Sequence, residues 1–262
     1  AFNDFRTQGF PSKKAERYKY TDIDQLFAPD YGLNINRLDI PVNPYDAFKC
    51  DVPNLSTSLY FIVNDQFFTK ALPKASLPDG VIVGSLKDAA ERNPQLIERY
   101  YSRMAHTDKD AVTALNTMLA QDGLFVYVPK GVKVDRAIQV VNILRSDVDL
   151  MVNRRVLIIM EEGAEAMFLF CDDTADDRNF LTTQVIEVYV GENADLGLYC
   201  LEETHTRNVR ISNVYIEQQA NSRVNHNVIT LHNGVTRNRL DLVLKGEGAE
   251  CWCNGCVIAD KN

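Results

Sequence analysis

The chain has 262 residues, 45% of them hydrophobic and 24% charged, with a formal net charge of -8. That length and balance fit one large β domain, or two smaller domains, with a real core. The acidic charge counts against a general nucleic-acid binder, which would present a basic surface, and no apolar run approaches the ~20 residues that span a bilayer.

The N-terminus, Ala1-Phe2-Asn3-Asp4-Phe5, shows no basic segment followed by an apolar one, so no signal peptide is read and a cytoplasmic protein is expected. Its six cysteines, Cys50, Cys171, Cys200, Cys251, Cys253 and Cys256, then read as reduced thiols and not as a disulfide framework. The first ~20 residues are polar and basic, and Thr21-Asp22 offers a cap for a short helical turn. The Pro- and Asn-rich stretch 34–53 predicts loop with short strands. Leu59–Val63, Asn64-Asp65 and Gln66–Phe68 spell a β-hairpin, and Val81–Val83 a further strand. Leu86 to Ala120 is the one long helical stretch, with Ser85 as a cap at its start. Asp108 or Asp110 would cap a segment whose Val112, Leu115, Met118 and Leu119 share one face. This predicts an N-terminal α/β region over 1–122.

From Gly123 onward the chain reads as β, and it repeats. Ala164, Ala194, Ala220 and Ala249 stand 30, 26 and 29 residues apart, each behind a polar corner such as Glu161-Glu162-Gly163 or Gly246-Glu247-Gly248. Ile158, Val188, Val214 and Val243 precede the alanines by six residues. Ala166, Leu196, Ser222 and Cys251 follow by two, and Phe168, Leu198, Val224 and Cys253 by four. Alternate residues of a strand share a face. One such unit cannot bury its own apolar face, but a stack of units can. The pattern predicts a mainly β chain whose residues 123–262 form a β-helix; a β-sandwich would place its turns closer together and without matched register.

Candidate chemistry is sparse. Cys251, Cys253 and Cys256 lie within six residues and are candidate ligands for zinc or an iron–sulfur cluster. Cys251 and Cys253 fall on the inward register, where cysteine serves as a small core residue, protonated and slow to react. Cys256 has the opposite parity unless Asn254-Gly255 turns the chain. The core reading is preferred and no metal is expected. Of the histidines, His226 falls inward and reads as a hydrogen-bonded core residue, His205 as a solvated loop residue, and His106 and His232 carry no signal. Cys200, His226 and Cys253 fall near one another in the repeat only by coincidence-level spacing. Cys171–Asp177 resembles a calcium loop but lacks its glycine and terminal glutamate, and reads as a solvated inter-coil loop. Arg207, Arg210, Arg237 and Arg239 with Asp241 would suit a β-helix polysaccharide lyase, yet read more simply as a solvated face. Neither a phosphate loop nor a Gly-x-Ser-x-Gly elbow is present, so no catalytic residues are assigned.

Two segments carry a family resemblance. Gly9-Phe10-Pro11-Ser12-Lys13-Lys14-Ala15-Glu16-Arg17-Tyr18-Lys19-Tyr20-Thr21 is similar to the opening motif of the SufD branch of the SufB/SufD family. Leu115-Asn116-Thr117 with Asp122 to Val132 is similar to the start of that family's β-helix, and Cys253-Asn254-Gly255 also fits. The resemblance runs from about Gly9 to Asn262. It implies a right-handed parallel β-helix and a non-catalytic scaffold subunit of iron–sulfur cluster assembly. It also implies pairing with a SufB-like subunit and a SufC-like ATPase, with a homodimer as the alternative and no nucleic-acid or membrane partner. No stably bound cofactor is expected, only a transient cluster in the full complex. The helical region that usually precedes the first motif is missing here. So are the later coils, with their Cys-x-His-Gly segment, and the C-terminal helices. The β-helix is therefore expected to be truncated, and the family's cluster-contacting residues map to no position.

Overall fold

The computed structural model describes residues 1–38, 40–48, 57–70, 72–73, 77–231 and 234–259. It opens with helix α1 (Phe2–Gln8), a 3-10 turn (Glu16–Tyr18), α2 (Ile23–Phe27) and the single turn α3 (Pro44–Ala47). The hairpin β1 (Thr57–Val63) and β2 (Gln66–Phe67) is followed by β3 (Ile82–Ser85), α4 (Leu86–Arg92), α5 (Pro94–Tyr100) and α6 (Ala111–Leu119). Ten strands complete the chain: β4 (Leu124–Val128), β5 (Ala137–Leu144), β6 (Leu150–Met160), β7 (Glu165–Thr174), β8 (Phe180–Val190), β9 (Asp195–Glu202), β10 (Val209–Gln218), β11 (Arg223–Thr230), β12 (Val235–Leu244) and β13 (Glu250–Val257). Among the described residues no helix is long and apolar enough to cross a membrane.

Asp22, Ser85 and Asp110 cap α2, α4 and α6, each accepting a backbone N–H three residues on. Those donors would otherwise be orphaned in the first turn. The cap of α6 is thus Asp110 and not Asp108. The sequence reading missed α1, whose few apolar positions gave no periodic signal. The helix is held from outside: Phe5 packs on Phe10 at 5.3 Å and Phe10 on Phe27 at 4.5 Å. Within 34–53 the expected short strands do not form among the described residues, and α3 stands there instead. Asn43 accepts from Tyr45 N–H at its start, and Pro44, whose φ suits a first helical turn, follows.

Successive strands from β4 alternate between two sheets, so each coil gives one strand to each sheet. The seven-stranded sheet runs β13-β11-β9-β7-β5-β1-β2 and the six-stranded sheet β12-β10-β8-β6-β4-β3. Every pairing is parallel except β1 with β2 and β3 with β4. The result is a β-solenoid, and β1 and β3 from the N-terminal region join its sheets. Between the sheets lies the main core, including Val140, Ile158, Phe168, Val188, Leu198, Ile216 and Val224. Each fully buried aliphatic or aromatic side chain there contributes roughly 1.5–3 kcal/mol of transfer free energy. Two further clusters seal the outer face of the six-stranded sheet beneath α2, α4, α5 and α6.

The coils register on a column of left-handed corner residues. Gly131, Gly163, Asn193, Asn221 and Gly248 have φ between 54° and 71°. The N–H groups of the first four reach the carbonyls of Glu162, Glu192, Ala220 and Glu247, each on the next coil. Glycine and asparagine tolerate that backbone best. This corrects the third repeat: Arg223 pairs with Asp195 and Glu250, so Ser222 and not Ala220 is equivalent to Ala194 and Ala249. The fourth corner holds one residue more than the third. Hence Leu242, not Val243, is the inward equivalent of Ile216, and Val243 is 43% exposed.

Candidate functional site

β12 and β13 are the last strands of the described solenoid. Among the described residues β12 pairs only with β10, and β13 only with β11. Val235, Val243, Leu244, Trp252 and Val257 are exposed along these strands, an apolar trim that isolated surface strands avoid.

Cys251 and Cys253 keep the inward parity expected of them, stacking on Val224 and His226 of β11. They are not buried: Cys251 is half-buried and Cys253 exposed, because no strand covers the far side of β13 among the described residues. Their sulfurs lie 3.4 Å apart. Burial, then the hydrogen bond to Cys253, pushes the Cys251 thiol up to about 12. β13 runs straight through Asn254-Gly255, so Cys256 faces outward and is exposed. Among the described residues no three His, Cys, Asp or Glu groups converge as a metal site.

His226 is buried, with Nδ1 3.3 Å from the Leu198 carbonyl, and burial holds its pKa below the ordinary value. Cys200 is inward and buried, its thiol pushed up to about 12 chiefly by that burial. Cys171 is buried on the outer side of β7, among Phe61, Val141 and Ile143. His205 is half-buried at its loop, 3.4 Å from Asp177, and accepts the Arg207 N–H on Nδ1; His106 is exposed. Cys50 and His232 lie outside the described residues.

Two expectations of solvated surface fail together. Asp172, placed in a loop by the sequence reading, is an inward residue of β7, and Arg210, placed on a solvated face, is an inward residue of β10. Asp172 meets Arg154 at 2.9 Å and Arg210 at 2.8 Å, and Arg210 reaches Glu202 at 2.7 Å. Asn142 donates to Asp172, while Thr230 and Asn238 donate to Glu202. Two cations and two anions thus alternate along the inside of three coils, nearly free of solvent. Burial lowers the pKa of Arg154. It works against the charge on Arg210 too, where the Glu202 and Asp172 carboxylates more than offset it and hold that guanidinium above its ordinary value. The other residues of the lyase-like set are equally committed. Arg237 lies over the Tyr18 ring at 4.1 Å, and Arg239 pairs with Asp241 and with Asp110. Arg207 alone is exposed, with its guanidinium on the Asp177 carbonyl. Residues locked to one another across both faces do not form one acidic-sugar surface.

Comparison with known proteins agrees with the coil architecture. Residues 1–140 match the family model described as the SufBD protein N-terminal region. Residues 143–262 match the SufBD core domain of the SUF iron–sulfur cluster assembly system. The chain belongs to the SufBD family. Among curated SufBD relatives, the Bacillus subtilis iron–sulfur cluster assembly protein SufD is 29% identical over 196 residues, covering 73% of this chain and 44% of that protein. An Arabidopsis thaliana SufBD family protein, ABCI9, is 27% identical over 187 residues, covering 71% and 39%. A Synechocystis SufBD protein, slr0074, is 34% identical over 119 residues, covering 45% and 25%. The chain thus spans less than half the length of these SufBD relatives. SufBD family members are implicated in iron–sulfur cluster assembly.

Proposed function

We propose that this chain acts as a non-catalytic scaffold in iron–sulfur cluster assembly, pairing with a SufB-like subunit and a SufC-like ATPase in the cytoplasm. The observation that carries the reading is the match of residues 1–140 and 143–262 to the two SufBD family models on a parallel β-solenoid. The side chains support the same role. The buried charges are spent on one another and on backbone, an arrangement that fixes coils in place and leaves no poised acid–base pair. The cluster is cargo, handled transiently by the assembled complex.

The test is co-expression of the tagged chain with SufB-like and SufC-like subunits, followed by gentle affinity purification. Recovery of the SufB-like partner in stoichiometric amount is the expected result. A chain that elutes alone at every salt concentration, or one that turns over an acidic polysaccharide to an unsaturated product, would sink the proposal.

A further inference from the structure

We propose that a cavity at the first hairpin binds a small, neutral, largely apolar molecule through one carbonyl oxygen, with Arg37 as the donor. This goes beyond the scaffold reading and does not depend on it.

The cavity holds about 240 Å³ beside the turn 34–38 and the hairpin β1–β2. Its apolar wall is Ile40, Val42, Val63, Phe67 and Phe68. The turn is braced from several sides. Asn34 accepts the Leu38 N–H on Oδ1 and donates its side-chain amide to the Leu38 carbonyl. The Arg37 N–H returns to the Asn34 carbonyl, and Arg37 takes φ 52°, a backbone conformation uncommon outside glycine. Gln121 donates to the Ile35 carbonyl and accepts from Arg37 Nε at 2.6 Å. Arg37 Nη1 donates to Asp65 at 2.7 Å. The guanidinium is thus held by two of its three nitrogens. The third, Nη2, is buried and has no hydrogen-bond partner among the described residues. A buried donor without an acceptor is costly, and more so on a charged group. A strained, braced turn therefore fixes Arg37 in the wall of an apolar cavity with one donor unspent. Backbone strain of this kind collects at ligand sites.

An apolar wall with few, well-placed polar groups is the usual make-up of a small-molecule site. Drug-sized ligands fill roughly 300–1,000 Å³, so this smaller cavity suits a molecule of one ring. Charge narrows the class further. Asp65 already compensates the guanidinium, and burial raises its carboxyl, with Asp122 adding to the effect. A carboxylate ligand would crowd a second anion against Asp65, and an ammonium ligand would meet the guanidinium. The carbonyl of a ketone, ester or amide offers the lone pair that Nη2 lacks and brings no net charge.

The experiment titrates the nitrogen-15-labelled 262-residue chain with three matched probes. They are acetophenone, ethylbenzene, in which the carbonyl is a methylene, and benzoate, which carries the charge. Two-dimensional NMR reads the amides of residues 63–69, with circular dichroism as the check on folding. We expect saturable acetophenone shifts gathered at those amides, with ethylbenzene about fivefold weaker and benzoate weaker still. Arg37→Asn removes the guanidinium and supplies a residue that tolerates the left-handed backbone, and should bring acetophenone down to the affinity of ethylbenzene. Phe68→Ala should weaken acetophenone and ethylbenzene by the same factor, and Arg223→Ala should change neither. The order of the three probes on the native chain decides the matter by itself. Absence of saturable shifts at residues 63–69 would overturn the proposal. So would ethylbenzene or benzoate binding as tightly as acetophenone, or a preference for acetophenone that survives Arg37→Asn.

Discussion

Arg155 and Glu187 meet at 2.5 Å on the outer face of the six-stranded sheet, and neither side chain is exposed to solvent. Glu187 also accepts the backbone N–H groups of Ser102, Met104 and Ala105, while Arg155 reaches Ser102 and Thr117 and lies under the Tyr101 ring at 4.5 Å. One ion pair therefore fastens the segment between α5 and α6 to the solenoid. Desolvating both charges is costly, so the value of the pair lies in what it holds and not in net attraction. Glu187→Ala strands a buried guanidinium and three N–H groups, and should cost about 3–5 kcal/mol in denaturant unfolding. The double replacement Arg155→Met with Glu187→Leu should recover part of that loss, leaving the three N–H groups unpaired. Hydrogen exchange at residues 102–105 should rise in both. An unchanged exchange rate there would refute the fastening role.

A second prediction concerns Gly123, which joins α6 to β4 with φ 153°. A Cβ at this position would overlap the Arg155 carbonyl, whereas one at Gly255 on the open strand meets nothing within 4 Å. Gly123→Ala should destabilise by roughly 2 kcal/mol or more, from strain and the displaced carbonyl together. Gly255→Ala should be neutral or slightly stabilising, because it only reduces the freedom of the unfolded chain. Urea midpoints of the two variants, measured side by side, decide the matter; equal midpoints would count against this account.

The solenoid was legible because inward apolar residues such as Phe168 and Leu198 recur at coil spacing, and the hairpin and the Ser85 cap because their signals are local. The register of the third coil was not. Aligning on alanine chose Ala220, when the stricter constraint is backbone conformation at Gly163, Asn193, Asn221 and Gly248. Following Gly/Asn at the corner would have found it. The inward charges escaped for a different reason. Asp172, Glu202 and Arg210 sit on positions that alternation marks inward, but charge suggests water, and only contacts between different strands, 8 to 38 residues distant in sequence, satisfy them.

The buried imidazole makes stability depend on pH in a set direction. His226 has its folded-state pKa below the ordinary histidine value of 6.5, first through burial, opposed by the Leu198 carbonyl and Glu202. The unfolded chain therefore binds the proton more readily. His226 contributes stability that is fully present above pH 6.5 and lost as pH falls through the folded-state pKa. Urea midpoints should drop between pH 7.5 and 5.5, and His226→Gln should show a shallower drop over the same window. Parallel slopes would show that other groups carry the dependence.

The last prediction tests the interior charge column. Asp172 lies between Arg154 and Arg210, its side chain about 4% exposed. Removing it leaves two guanidinium groups facing each other across a low-dielectric interior, with only Glu202 remaining as a close carboxylate for one of them. Asp172→Ala should thus cost about 3–5 kcal/mol, while Asp172→Asn, which keeps shape and one acceptor, should cost somewhat less. Arg154 loses Asp172, its ion-pair partner among the described residues, and keeps its hydrogen bond to the Asn64 carbonyl. Arg210 keeps Glu202. A double-mutant cycle resolves the two arms: Asp172→Ala with Arg154→Met should be less destabilising than the sum of its parts. The same cycle with Arg210→Met should show weaker coupling, because that replacement also takes the Arg210 guanidinium away from Glu202. Equal coupling energies in the two cycles would mean that Asp172 serves both arginines alike and that Glu202 does not anchor the far end of the column.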